Sequence, residues 1–465
     1  MITTMNINEN FRYLNAGMPE DIVRRKLSGD ADGAVRLIDQ WLSKENLVPE
    51  MRYSLTAERE MILRQMDDFP YTKEQALSRI RSCIPDFTEE EFDSRVDAGQ
   101  IRWCYQNGEM RYFARFLESM CKAVPEITRR AQMALPGNES AVKGSRGDDR
   151  ISCCIQKMKE NGSMSVRTRI RASLRLNDDQ FYPGVNIRAH LPIPAECEQQ
   201  SEIVIEQMDP PTGVISPGDA KARTVCWEEC MEENHEFTVV YSYVHTARYH
   251  EPGKTQECEI PTEEFTKEEQ PHIVFTPYLK SLTEEVLQGE TDPLEKAHRI
   301  YDFITLNMKY TYMPEYFCLE NIAENCARSY TGDCGVFALL FITMCRCAGI
   351  PACWQSGLAA EPDFCGAHDW ARFFVESRGW LYADPSYGVS AVRLGDEERR
   401  RFYFGNLDPY RMVANNAFQA PFTIEKQYWR ADPYDNQVGE METGERGLKY
   451  SEYQTTKEVL LCEEL

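Results

Sequence analysis

A chain of 465 residues with 42% apolar content holds enough hydrophobic material for two to four packed domains and is too apolar to be a disordered polymer. Its net charge of −23, from 52 Lys and Arg against 75 Asp and Glu, excludes a nucleic-acid binder, because phosphate affinity is carried by cations. No run of about 18 apolar residues occurs, so no membrane-spanning helix and no membrane partner are expected.

The N-terminus carries no basic segment followed by an apolar one, which predicts no secretory leader and a cytoplasmic location. In a reducing compartment the 17 cysteines are expected as free thiols. Cys226 and Cys230 with His235 lack a second ligand pair at finger spacing, so no metal is expected there, and no cofactor motif occurs elsewhere.

Residues 1–135 read as mainly helical with one small hairpin. Apolar residues recur at helical spacing through 21–44, with Gly29 to Gly33 as a break, and Thr72 and Thr88 stand as N-caps. Asn107-Gly108 between the apolar runs 101–105 and 110–113 is a hairpin signal. Helices followed by a hairpin suit a winged helix, but the acidic charge favours a packing or interaction role. Residues 136–150 are polar and Gly-containing and read as a linker.

Residues 151–265 read as a β-sandwich. Along 164–176 apolar residues alternate with Arg167, Arg169, Arg171 and Arg175, which are expected to form salt bridges with an acidic neighbour domain. Asp292-Pro293 opens a helix, with Pro at its first position. Tyr310 and Tyr312 lie in a short extended segment and are candidate oxyanion donors by residue type.

The stretch 331–387 concentrates the chemistry. Apolar residues at helical spacing follow Cys334, which places it in the first turn of a buried helix ending near Gly349. Unpaired N–H groups there favour a thiolate and could hold an oxyanion. Three strands follow, with His368 opening the second and Asp384 closing the third. A nucleophilic thiol needs a base, and the base needs an acceptor that fixes its tautomer; Cys334, His368 and Asp384 are the catalytic candidates. A simple hairpin centred near Arg378 pairs 384 with about 372, so twist, a bulge or a wider loop has to bring Asp384 to His368.

Gly332-Asp-Cys-Gly-Val-Phe-Ala338, Arg346-Cys-Ala-Gly-Ile-Pro-Ala352, His368-Asp-Trp370, Gly379-Trp380 and Asp384-Pro385-Ser386 resemble, in order, the core motifs of the transglutaminase-like superfamily, in a bacterial branch. The resemblance covers about residues 272–390. It implies an α+β, papain-like core with Cys334 as nucleophile, His368 as base and Asp384 as orienting acid, preceded by the β domain and followed by strands and loops (391–465) that wrap it. Animal transglutaminases have Gln-Cys-Trp where this chain has Asp333-Cys334-Gly335. The expected activity is therefore cysteine-dependent hydrolysis of an amide or peptide bond through a thioester. Protein-glutamine acyl transfer and a non-catalytic scaffold are the alternatives. The expected substrate is a peptide, a protein or a small amide; oligomeric state is not readable.

Overall fold

A computed structural model describes residues 6–134, 148–250 and 260–465. The N-terminal region is helical: α1 (Glu20–Leu27), α2 (Ala31–Leu42), α3 (Pro49–Asp68), α4 (Lys73–Cys83), α5 (Glu89–Asp97), α6 (Phe116–Ala123) and α7 (Pro125–Ala134). Thr72 and Thr88 accept from the third backbone N–H of α4 and α5, the caps their positions predict. Between α5 and α6, β1 (Trp103–Gln106) pairs with β2 (Glu109–Tyr112). Asn107 and Gly108 both take positive φ, +48° and +90°, as a two-residue hairpin turn requires.

The residues read as a linker lie, up to 147, outside the described residues. Beyond them the structure departs from expectation: 148–161 form a helix, α8 (Asp148–Asn161), where strands were expected from 151. Ile151, Cys154, Ile155 and Met158 recur at helical spacing and are buried, so the period there is 3.6 and not 2.

The central region is built of β3 (Ser163–Leu176), β4 (Val185–Pro192), β5 (Gln200–Asp209), β6 (Val214–Ile215), β7 (Thr224–Met231) and β8 (Glu236–Arg248). Three of them enter each of two four-stranded sheets, which two later strands complete and whose apolar residues share one core. The alternation in β3 places Val166, Ile170, Ala172 and Leu174 inside. Its arginines pair within the same sheet and not with a neighbouring domain: Arg167 with Glu202 (2.7 Å), Arg169 with Glu206 (2.6 Å) and Arg171 with Glu236 (3.4 Å). The adjoining strands present the carboxylates at the right spacing, so the charge is neutralised locally.

The C-terminal α+β region holds α9 (Pro277–Leu287), α10 (Pro293–Asn307), β9 (Lys309–Tyr310), α11 (Ile322–Ser329), β10 (Thr331–Gly332), α12 (Cys334–Cys347), β11 (Ala352–Glu361), β12 (Phe364–Val375), β13 (Gly379–Ala383), α13 (Pro385–Leu394), α14 (Glu397–Phe402), β14 (Phe404–Gly405) and β15 (Arg411–Asn415). Helix α12 is buried from Gly335 to Arg346, a helix enclosed on every side. It packs on an antiparallel sheet ordered β14-β13-β12-β11-β15. Expected as a wrapping, the segment after 391 also completes the central region: β16 (Glu440–Thr443) pairs with β4 and β17 (Tyr453–Glu464) with β3. Among the described residues no helix is long and apolar enough to cross a membrane.

Candidate active site

Asp333 caps α12, its carboxylate accepting from Val336 N at 3.2 Å, and Cys334 is the first helical residue. The preceding strand β10 is held parallel to β9, with Thr331 opposite Lys309 and Gly332 opposite Tyr310. Tyr316 accepts from the same Val336 N–H at 3.1 Å and donates its hydroxyl proton to Asp333. It is thus Tyr316 that ties down the helix start, while Tyr310 packs edge-on against Phe337 and Tyr312 lies under Arg115. Gly335 fits between the Tyr316 hydroxyl and Asp369, whose Oδ2 would lie 2.8 Å from an added Cβ. That crowding explains why no bulky residue follows this cysteine.

His368 does not open its strand. β12 begins at Phe364 after a short connection, which places His368 and Asp369 in the strand interior. Side chains alternate along a strand, so these two residues leave it in opposite directions. The His368 ring bonds Asp384 (Nε2 to Oδ2, 2.7 Å), whereas Asp369 Oδ2 accepts from the Cys334 thiol at 3.2 Å. The β12–β13 register pairs Ala371 with Ala383, so position 384 continues opposite 370 and His368 lies on its diagonal. The partner of position 384 is therefore shifted by two residues from the simple hairpin, from about 372 to 370, and that register suffices for the contact.

Asp384 is fully buried and saturated. Its Oδ1 accepts from Ser386 Oγ and Tyr387 N, both at 3.0 Å, capping α13. Its Oδ2 accepts from His368 and from Arg411 Nη1 at 2.8 Å. Arg411, also fully buried, gives its Nε hydrogen and one Nη2 hydrogen to Asp408 Oδ2. The imidazole and this guanidinium hold the Asp384 carboxyl well below the usual carboxylate range, against its burial. The His368 ring lies against Tyr387, centroids 4.6 Å apart.

The expected thiolate-favouring environment is reversed in the resting structure. Burial, then the Asp369 and Asp333 carboxyls, push the Cys334 thiol well up. A helix terminus offers about half a positive charge, too little against burial and two neighbouring acids. Burial also raises Asp333, to about 6, and raises Asp369 further with help from Asp435. Sequence reasoning missed Asp369, Asp435, Tyr316 and Arg411. Only Asp369 had a local signal, its place inside His368-Asp-Trp370.

Residues 280–385 match the sequence profile of the transglutaminase-like superfamily core. No curated protein matches the chain. Among solved structures, a candidate cysteine protease from Cytophaga hutchinsonii is similar at 15% identity, over 65% of this chain and 91% of that one, with a TM-score of 0.43. The periplasmic domain of TgpA from Pseudomonas aeruginosa is similar at 13% identity, over 53% and 95% of the two chains, with a TM-score of 0.28. A candidate protease from Parabacteroides distasonis is similar at 13% identity, over 49% and 60%, with a TM-score of 0.21.

Proposed function

We propose, from the transglutaminase-like superfamily domain that this chain carries, that the protein is a cysteine-dependent hydrolase of amide or peptide bonds. In this reading the core is papain-like, with the two central sheets packed ahead of it as a sandwich. The observation that carries the reading is the buried His368–Asp384 pair, closed at 2.7 Å, on the residue next to the one that touches the Cys334 thiol.

Each side chain takes a role its contacts support. Asp384 receives the Nε2 hydrogen, which fixes the tautomer and leaves Nδ1 of His368 as the base. Cys334 bonds Asp369, not His368, among the described residues, so the reading requires the thiol to leave Asp369 and come round to that nitrogen before it gives up its proton. The sulfur then attacks the substrate carbonyl, forming the C–S bond, and the carbonyl oxygen takes the electron pair. First-turn N–H groups of α12 that Asp333 leaves uncapped face the developing oxyanion. His368 returns the proton to the departing amine nitrogen as the C–N bond breaks, leaving a thioester. Water, deprotonated by His368, resolves the thioester into acid and free thiol.

The test is iodoacetamide labelling mapped by mass spectrometry, paired with hydrolysis of an amide and peptide library. Cys334→Ala should lose both the hydrolysis and the labelled peptide. Hydrolysis by Cys334→Ala at the wild-type rate would overturn the assignment.

A further inference from the structure

Three cations meet where the N-terminal region docks on the α+β region, and the proposed chemistry uses none of them. Arg115 immediately precedes α6, and Ser119 and Lys122 follow it at i+4 and i+7, on one helix face. That face lies on the segment after β9. Arg115 stacks over the Tyr312 ring at 3.5 Å, and Ser119 Oγ accepts from Tyr312 N at 3.2 Å. At the far end of the face Arg393, in the last turn of α13, donates from Nη1 to the Lys122 carbonyl at 3.4 Å.

In a chain with 75 acidic residues these cations are left short of anions. Among the described residues the one carboxylate that pairs with any of them is Glu118, 3.9 Å from Arg115. The C-terminal ends of α6 and α13 add about half a negative charge each, which leaves three cations underbalanced. Burial, then Arg393 and Arg115, pull the Lys122 ammonium below its usual range, so like charges are held together here. Arg115 and Arg393 are exposed, so a ligand can reach them.

The cluster flanks the start of α12. Tyr312 sits edge-on to Tyr310, centroids 5.9 Å apart, and Tyr310 pairs with Gly332, two residues before Cys334. Arg393 lies nine residues along α13 from its Asp384 cap, about 13 Å, a span that about four extended residues cover. We propose that Arg115, Lys122 and Arg393 form a subsite for an acidic side chain of a peptide substrate, about four residues from the scissile bond. This subsite extends the hydrolase reading and rests on Cys334 being the nucleophile.

The test measures binding to the full chain carrying Cys334→Ala, so that no turnover intervenes. Two rhodamine-labelled, end-blocked octapeptides of alanine and glycine carry either two Glu or two Gln at the same places. In about 0.15 M NaCl, which screens the charge of the chain as a whole, fluorescence anisotropy should show the Glu peptide bound about fivefold tighter or more. Lys122→Met combined with Arg393→Gln should bring that ratio to about one, whereas Lys280→Gln, on α9, should leave it unchanged. Lys122→Met keeps the apolar stem and removes a repelled charge, so its urea midpoint should not fall. Equal binding of the two peptides, binding of neither, or a preference that survives the double variant overturns the subsite. A lower midpoint for Lys122→Met, the mark of a structural ion pair, overturns it as well. Cys334-dependent hydrolysis without Glu preference sinks the subsite alone. Glu preference in a chain whose hydrolysis survives Cys334→Ala sinks the hydrolase reading and leaves an acidic-peptide site.

Discussion

Asp384→Asn tests the pair on which the proposed chemistry depends. The carboxylate accepts four hydrogens: from His368 and Arg411 on Oδ2, and from Ser386 and Tyr387 on Oδ1. An amide of the same shape accepts on one side only. Whichever way it turns, its NH2 faces two donors. If it faces His368 and Arg411, a fully buried guanidinium keeps only Asp408 as its anionic partner. Breaking one side of a buried ion pair costs about 3–5 kcal/mol, and losing the tautomer lock on a catalytic imidazole costs about 10⁴ in rate in a serine protease. Urea unfolding at pH 7 and kcat/KM on the best library substrate measure the two effects. The pH dependence gives a further check. The Asp384 carboxyl is held well below its ordinary 3.8, so its stabilisation is complete above that pH and declines as pH falls below it. The stability gap between wild type and Asp384→Asn should therefore narrow by about 1 kcal/mol between pH 4 and pH 3. A gap under about 1 kcal/mol at pH 7, or a rate within about tenfold of wild type, would refute the reasoning.

Asp68 gives the opposite pH sign. Burial and Glu315 push its carboxyl up to about 7, so it weakens the fold increasingly as pH rises from about 4 to 7. Asp68→Asn can still accept the Glu315 N–H and should stabilise the protein at pH 8 by up to about 4 kcal/mol, an order-of-magnitude figure, and by much less at pH 5. Urea midpoints that move equally at both pH values would contradict this. Gly335→Ala drives a methyl group into Asp369 Oδ2 and the Tyr316 hydroxyl, and Tyr316 is itself fixed by Val336 and Asp333. It should cost about 1–3 kcal/mol in unfolding and slow Cys334 alkylation and hydrolysis together.

How much of this was readable from residues alone varies along the chain. The Asn107-Gly108 turn, the caps at Thr72, Thr88 and Asp292, and the burial of α12 follow from local rules, and each is present. Helix α8 was missed although its apolar spacing is helical, because the strong alternation of β3 just after it drew the region into the sheet. The strand start at Phe364 was missed because Pro362 and Asp363 looked like a longer loop. The docking of the N-terminal region beneath the segment that carries Tyr316 had no local signal at all: Phe11 packs on Phe317 (centroids 4.7 Å), and Asp68 accepts from Glu315 N at 3.0 Å.

By itself the sequence determined most of the elements, though not α8, and placed a cysteine at the start of a buried helix, since periodicity, caps and turns are properties of neighbouring residues. Only the tertiary structure decided the electrostatics. Asp369 reaches the thiol because alternation turns it away from His368. Arg411 and Asp435 reach the site from 43 and 67 residues beyond His368 in chain numbering. A thiol's proton affinity is set by every charge within a few ångströms, and those charges come from strands and loops that only folding brings together.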